Sequence, residues 1–394
     1  MKTKKLLFLS VISLLSLAGC ARGTESKSSS EEAKSEQSSS VSSEPQPAST
    51  SSQPESTSVP ESSSSEPAQP SSAPAPVYDD RVSVFVLSGQ SNMQGNSSSS
   101  EANLRQAFED LGFDDYDDVA AGMPEVLTSL YCAGYGELDH TKLNNNSRLS
   151  NSTNKEAPFD GLFVPTRGGL GNSSNQMGPE FGAAYYLRDY ASEDEPIFFI
   201  KMASNGSGFA QSGTQYNWPV KDENGEFPEI NLYSTFAKPF IENNLALIEE
   251  MGFTPVIKGW LWHQGESDCA NEKIPVYAQR LGDMVEQFRE DFADYALDED
   301  GENIAFIDGM VYQGTNPKSS WTTPDLMNAQ KQAFADSADN NYIVDIYGNE
   351  DPSDENELKP GSPGGDSMHY NTKSSLRLGM AYGKVIVDND LLDF

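Results

Sequence analysis

Basic residues and cysteines are scarce in this chain, and each shortage excludes a class of function. The 394 residues include 26 lysines and arginines against 60 aspartates and glutamates, so the formal net charge at pH 7 is −34. A surface this acidic disfavours nucleic acids and polyanionic substrates as partners. The three cysteines, Cys20, Cys132 and Cys269, have none of the spacings typical of zinc sites. We therefore expect neither nucleic-acid binding nor a metal site.

A long apolar segment is missing from the N-terminal region. The apolar run at 6–17 follows three lysines and is shorter than the roughly 20 residues that a membrane-spanning helix needs. It ends in Leu-Ala-Gly-Cys, and small residues before Cys20 resemble a bacterial lipobox. The resemblance implies a lipoprotein signal peptide over 1–20, a lipid on Cys20 and a membrane-anchored, extracellular protein. An ordinary secretory signal with a chance cysteine is the alternative.

Large aliphatic side chains are almost absent from residues 21–78, where Ser, Pro, Glu, Thr and Gln dominate. Such a segment cannot bury enough apolar surface to offset the entropy lost on ordering. We interpret it as a disordered tether, with or without O-linked sugars. The remaining residues, 79–394, are enough for one large α/β domain with its own core.

Short, nearly continuous apolar runs alternate with amphipathic segments in the domain. The runs predict buried strands at 82–87, 196–202, 256–262, 304–311 and 342–346. Helices are predicted at 179–190, 232–251, 276–292, 324–335 and 373–387, and a short one near 101–111. This alternation predicts a three-layer α/β/α fold with a central parallel sheet and helices on both faces. Residues 96–175 depart from the rhythm, and we interpret them as an irregular insertion that forms a rim or lid.

Polar loops follow the predicted strands and bring reactive residue types to one edge of the sheet. They contain GQSNM at 89–93, NGS at 205–207 and WHQGESD at 262–268, and DSMH at 366–369 precedes the last helix. Open α/β sheets place their ligands at the carboxyl ends of the strands. The loops therefore predict a pocket there, although a glycine-flanked turn after a strand is common in any α/β protein.

Histidine is also rare, which narrows the choice of a general base. The chain has only His140, His263 and His369. A nucleophilic serine such as Ser91 needs a base near neutral pH, and histidine supplies one. Only His369 has a carboxylate three residues before it, Asp366, which could orient its ring. His263 lies within a strand end, where it could simply pack.

The four motifs together resemble the sialate O-acetylesterase-like branch of the SGNH hydrolases, which includes the family-six acetylxylan esterases. The resemblance implies a flavodoxin-like fold and a serine esterase acting on acetylated carbohydrates without a cofactor. It makes Ser91 the nucleophile, His369 the base and Asp366 the orienting acid. The oxyanion hole would comprise the N–H groups of Ser91 and Gly206 and the side-chain amide of Gln264.

One block departs from the family pattern, because Asn205-Gly206-Ser207 stands where Gly-Gly-Thr is usual. Asn92, Glu266 and Asp268 are expected to support the site from behind, although the two acids could equally be helix caps. The sugar, the acetyl position, the oligomeric state and a possible Cys132–Cys269 disulfide stay open.

Three other functions remain as alternatives. A non-catalytic glycan-binding lipoprotein on a hydrolase-like fold is disfavoured by the intact serine, aspartate and histidine. A calcium-dependent surface module would use the Asp-rich segments at 221–226 and 298–303, which read more simply as turns. A lipase or peptidase is disfavoured because no large apolar lid pattern is present.

The lipobox predicts that Cys20 holds the protein at the membrane. Native-host fractionation should find the wild type with membranes, and Cys20→Ala should release or misprocess it. A wild type recovered wholly from the medium would contradict the anchor.

Overall fold

A seven-stranded sheet, built largely from the apolar runs, is the centre of the fold. The computed structural model describes residues 80–133, 163–209, 217–269, 273–298, 300–312, 323–347 and 368–394. In chain order the strands are β1 (Arg81–Gly89), β2 (Ser97–Ser98), β3 (Met123–Ala133), β4 (Val164–Thr166), β5 (Gln176–Met177), β6 (Ile197–Ser204), β7 (Thr254–His263), β8 (Ala305–Gly309) and β9 (Asn341–Val344). Their order across the sheet is β4-β3-β6-β1-β7-β8-β9, and β2 and β5 form a separate pair. Strands β3 and β4 are antiparallel, whereas the other neighbours in the large sheet are parallel.

Helices fill the connections between the strands. The described α-helices are α1 (Ser91–Gln94), α2 (Glu101–Asp110), α3 (Tyr116–Val119), α4 (Glu180–Leu187), α5 (Lys238–Glu250), α6 (Tyr277–Asp291), α7 (Pro324–Ala335) and α8 (Thr372–Asp388). Several begin where the sequence supplies a start signal. The side chain of Ser100 accepts a hydrogen bond at the start of α2, Asn371 does so at the start of α8, and Pro324 opens α7.

Two hydrophobic cores lie on opposite faces of the sheet. Along β1, Val82, Val84 and Val86 point into the core shared with α5 and α6. Phe85 and Leu87, between and after them, point into the core shared with α2, α4 and α8. Because both faces of β1 are buried, its sequence reads as a continuous apolar run. The three-layer α/β/α class is therefore confirmed, and each of the five predicted strands is present.

The structure differs from the sequence interpretation over residues 96–175. The short helix predicted near 101–111 is present as α2, but the segment also contributes α3 and the long strand β3, which pairs parallel with β6 inside the main sheet. Polar residues conceal β3 in the sequence, because Thr128 and Ser129 interrupt its apolar pattern although both are buried. The hydroxyl of Thr128 is satisfied by that of Thr166 on β4, at 2.6 Å. Residues 134–162, with His140, lie outside the described part of the chain.

A buried ion pair fastens the segment between β4 and α4 to the sheet. Lys201 on β6 pairs with Glu180 at the start of α4, and both side chains are fully buried. The Lys201 ammonium also donates to the main-chain oxygen of Leu170 at 3.0 Å. Glu180 accepts from the N–H of Gly178 at 2.9 Å. Since breaking such a pair leaves an uncompensated buried charge, the two residues hold this segment in place.

Two further observations concern the acidic segments and the described helices. The acidic segments at 221–226 and 298–303 form hydrogen bonds within themselves. Asp222 accepts from the N–H groups of Asn224 and Glu226, and Asp298 accepts from that of Asn303. Within the described ranges, none of the helices combines the length and apolar character needed to cross a bilayer.

Candidate active site

The close approach of β1 and β7 places Ser91. Gly89 has a φ of +148°, and a Cβ there would lie 2.1 Å from the main-chain oxygen of His263. The N–H of Gln90 donates to that same oxygen at 3.0 Å. The chain then turns into α1, whose first residue is Ser91. Among the described residues, neither the hydroxyl nor the N–H of Ser91 has a hydrogen-bond partner, so both remain available to a ligand.

Asn92 joins the Ser91 loop to the backbone on both sides of His369. Its side-chain amide donates to the main-chain oxygen of Met368 at 3.2 Å, and its oxygen accepts from the N–H of Tyr370 at 3.2 Å. The same amide donates to a carboxylate oxygen of Glu266 at 2.8 Å. One buried side chain therefore connects the ends of β1 and β7 with the start of α8. The structure brings Ser91, Glu266 and the half-buried His369 into one site.

Gln264 occupies the centre of a buried hydrogen-bond network. Its amide nitrogen lies 3.1 Å from Gln90 Oε1, 2.9 Å from Asp268 Oδ2 and 3.2 Å from the main-chain oxygen of Ser207. Its own side-chain oxygen accepts from the Tyr277 hydroxyl at 3.0 Å. An amide nitrogen has two hydrogens, and here three acceptors surround them. In this arrangement Gln264 ties the ends of β1, β6 and β7 together, and it would have to give up one of these bonds to serve an oxyanion.

Gly206 lies in the turn after β6, on the side of Ser91 that faces β3. Its φ of +67° favours glycine, and the residue is exposed. Asn205 before it accepts from Asn96 at 3.1 Å, and the same Asn96 amide donates to the main-chain oxygen of Ser91 at 2.8 Å. Asn205 also donates to Asn172 at 3.3 Å. These amides connect the Ser91 and Gly206 loops. Sequence reasoning missed Asn96 and Asn172, because no spacing rule marks them.

The two acids of the β7 loop are buried and bind neighbouring loops. They follow Gly265, whose φ is +138°. Asp268 accepts from the N–H of Phe209 at 3.0 Å and thereby holds the loop after β6. Burial raises the pKa of Asp268 and that of Glu266. For Glu266 the hydrogen bond from Asn92 and the electrostatic influence of Lys331 and His369 oppose this rise.

His263 packs beneath the site and is inaccessible to a substrate. Its ring is fully buried, and neither ring nitrogen has a hydrogen-bond partner in the described structure. Burial, aided by the charge of Lys331, lowers the pKa of His263 to about 3, so the ring is neutral. Lys331 itself is buried against Asp308 at 2.5 Å, and burial raises the pKa of Asp308 to about 6. Glu266 Oε1 lies 3.7 Å from His263 Nε2.

The structure does not describe every predicted site residue. Asp366 and Cys20 lie outside the described residues. Cys269 is a buried free thiol, and the side chain of Cys132 is not among those described. Across the described ranges, no three His, Cys, Asp or Glu side chains are grouped so that they could hold a metal ion.

Comparison with known proteins agrees with the motifs. Residues 81–388 match the family model described as carbohydrate esterase, sialic acid-specific acetylesterase. The chain belongs to this family. The SGNH-type resemblance of the sequence is thereby confirmed, and the family's class of reaction is ester hydrolysis on carbohydrates.

Individual relatives are distant. No curated protein sequence matches the chain. A solved structure from Arabidopsis thaliana has 16% identity and a TM-score of 0.47, and covers 78% of this chain and 98% of its own. NanS has 14% identity and a TM-score of 0.48, with 79% and 98% covered. A carbohydrate acetylesterase from Xanthomonas citri has 14% identity and a TM-score of 0.43, with 78% and 56% covered. At these values the family match, rather than any single neighbour, carries the assignment.

The hydrogen bonds of Asn92 predict that Asn92→Ala impairs catalysis without unfolding the protein. Loss of the bonds to Met368 and Tyr370 should let His369 shift, and misplacement by about 1 Å can lower the rate about 10²-fold. The measurement is kcat on a small acetyl ester, with chemical denaturation as a check. Asn244 is a matched control, because it is a buried asparagine on α5 that bonds only within its own helix in the described structure. Equal kcat losses in the two variants would contradict this role for Asn92.

Proposed function

We propose that the chain is a serine carbohydrate O-acetylesterase in which Ser91 attacks the acetyl ester. The observation that carries the proposal is a pair of hydrogen bonds, one that Asn92 donates to the main-chain oxygen of Met368 and one that it accepts from the N–H of Tyr370, on either side of His369. They hold the only half-buried histidine of the described chain next to the loop of an unpartnered serine. His263, by contrast, is sealed in the core.

The reaction follows from the charges that develop. Ser91 Oγ bonds to the acetyl carbonyl carbon while His369 accepts the hydroxyl proton. The negative carbonyl oxygen is met by the free N–H of Ser91 and by that of Gly206, and each such donor is worth roughly 3 kcal/mol in the transition state. His369 then protonates the departing sugar oxygen. Water, deprotonated by His369, cleaves the acyl-enzyme to acetate and restores Ser91.

Two carboxylates, those of Asp366 and Glu266, are candidates for the acid that orients the His369 ring. Asp366 precedes the histidine by three residues, a spacing that allows one loop to present both. Glu266 is held by Asn92 and acts electrostatically on His369. We assign the orienting role to Asp366, and Glu266 acts with Asn92 to hold the loops. Asp268 and Gln264 fasten the opposite loop.

The substrate class follows from the family and the surface charge. Acetylated carbohydrates match the family's activity, and the net charge of −34 disfavours polyanionic substrates. The lipobox at Cys20 supports a lipid-anchored enzyme that works outside the cell. The reaction needs no cofactor.

Ser91→Ala should abolish acetate release from a small acetyl ester and leave the fold intact. Removal of the nucleophile should lower kcat by at least about 10³-fold. Ser337→Ala is the control, because its hydroxyl bonds to a main-chain oxygen of α7, at the opposite edge of the sheet. Wild-type turnover in Ser91→Ala would overturn the proposal, and a non-catalytic glycan-binding protein would then be the better reading.

The same assay separates the histidines and the acids. His369→Ala should be about as damaging as Ser91→Ala, because triad members act as a unit. His263→Gln should keep far more activity, since its ring meets no substrate. Asp366→Asn should lower kcat by about 10²-fold or more, and Glu266→Gln should lower it less. The reverse order of the two acid variants would transfer the orienting role to Glu266.

A further inference from the structure

An ordered tyrosine pair lies at the same edge of the sheet as Ser91. Tyr312 follows β8 and Tyr347 follows β9, and both strands end at the carboxyl edge. The two ring centroids are 5.2 Å apart, with 35° between the ring planes. Tyr347 is 37% exposed, and among the described aromatic residues only Tyr190 and Phe394 are also exposed. The pair therefore offers an aromatic surface beside the candidate site.

Hydrogen bonds at its far end hold the Tyr347 ring in place. Its hydroxyl donates to the main-chain oxygen of Val311 at 3.0 Å and accepts from Asn328 at 3.2 Å. Asn328 is itself fixed, because it exchanges bonds of 2.8 and 2.9 Å with the backbone of Val311. With its polar end already bonded, Tyr347 presents the ring to a ligand. A ring held in advance loses little entropy on binding.

Tyr370 connects the pair to the catalytic residues. It follows His369, and its N–H donates to Asn92. Tyr312 packs against the hydrophobic core that contains Tyr370. Tyr312 and Tyr347 also act electrostatically on Tyr370, adding to the rise in its pKa that burial causes. The pair thus lies on the β8 and β9 side of His369, whereas the amides of Asn96 and Asn205 lie on the β6 side.

A pyranose ring suits a site that has aromatic rings on one side and side-chain amides on the other. Its C–H face is apolar and packs on aromatic rings, while its hydroxyl groups need donors and acceptors. We propose that Tyr347, supported by Tyr312, is the platform on which a pyranose ring of the substrate stacks while its ester reaches Ser91. The proposal rests on the carbohydrate esterase function proposed above.

The experiment compares a large and a small substrate. Tyr347→Ala should raise KM for an acetylated xylo-oligosaccharide or an O-acetylated sialic acid by roughly tenfold, the worth of one aromatic stack. Its kcat, and both constants for 4-nitrophenyl acetate, should stay within about threefold. Tyr347→Phe should raise KM less than Tyr347→Ala does, because it keeps the ring but loses the hydrogen bonds that hold the ring in place. The two sugars distinguish a neutral from an anionic pyranose as the ligand.

Tyr190→Ala is the matched control. Tyr190 is also exposed and stacks on Tyr186 at 6.4 Å, but it precedes β6 and so lies at the amino edge of the sheet. This variant should leave every constant unchanged. An unchanged sugar KM in Tyr347→Ala would overturn the platform, and so would a parallel loss on the small ester, which would mean a structural role.

A binding measurement on the inactive variant tests the Tyr347 platform independently of catalysis. Calorimetric titration of Ser91→Ala with the acetylated xylo-oligosaccharide and with the O-acetylated sialic acid should give a measurable Kd for at least one, and adding Tyr347→Ala should weaken it roughly tenfold. If the wild type hydrolysed no ester but the Tyr347→Ala change still weakened sugar binding, the esterase proposal would be overturned and the platform retained. If Ser91→Ala and the double variant Ser91→Ala/Tyr347→Ala bound the sugar with the same Kd, the platform would be overturned and the esterase proposal would be unaffected.

Discussion

Strands β1 and β7 approach each other closely where both end, because Gly89 of β1 has no side chain. A Cβ there would collide with the main-chain oxygen of His263, so only glycine permits the contact. Once the strands meet, the hydrogen bond from Gln90 to that oxygen fixes the direction in which each chain leaves the sheet. Ser91 and Gln264 follow directly from the two ends. The geometry of the site therefore begins in the backbone, before any catalytic side chain is placed.

This arrangement removes ionisable groups from water, and one buried lysine acts on two of the acids. Glu266 and Asp308 are both removed from water, which raises the pKa of each carboxyl group. Lys331 is buried and pairs with Asp308, and its charge also acts on Glu266. Burial, aided by the charge of Lys331, lowers the pKa of His263 and keeps its ring neutral. A neutral histidine avoids a second buried cation. The motif residues of β7 thus depend on a lysine from a helix that the motif does not include.

The sequence predicts the parts of the molecule that have a local signal. Continuous apolar runs such as that of β1 locate the strands, and the polar motifs GQSNM and WHQGESD mark the turns at the ends of β1 and β7. Strand β3 has no such signal, because its buried Thr128 and Ser129 look like surface residues until Thr166 is seen opposite. The network of Gln264 is hidden for a similar reason. Its partners come from three strand ends that are distant in the chain, and only the sheet order makes them neighbours.

The order of the strands also explains why the two sides of the site differ. β1 lies at the centre of the sheet, with β6 on one side and β7 followed by β8 on the other. The chain after β6 begins with a polar turn, where Asn205 accepts from Asn96 and the same Asn96 amide donates to the main-chain oxygen of Ser91. The chain after β8 is instead held by Asn328, which bonds to the backbone of Val311 and to the hydroxyl of Tyr347. The proposed nucleophile at the end of the central strand therefore lies between a flank of side-chain amides and a flank of aromatic rings. The separation depends on the order of the strands in the sheet, because that order puts the chain after β6 on one side of β1 and the chains after β8 and β9 on the other.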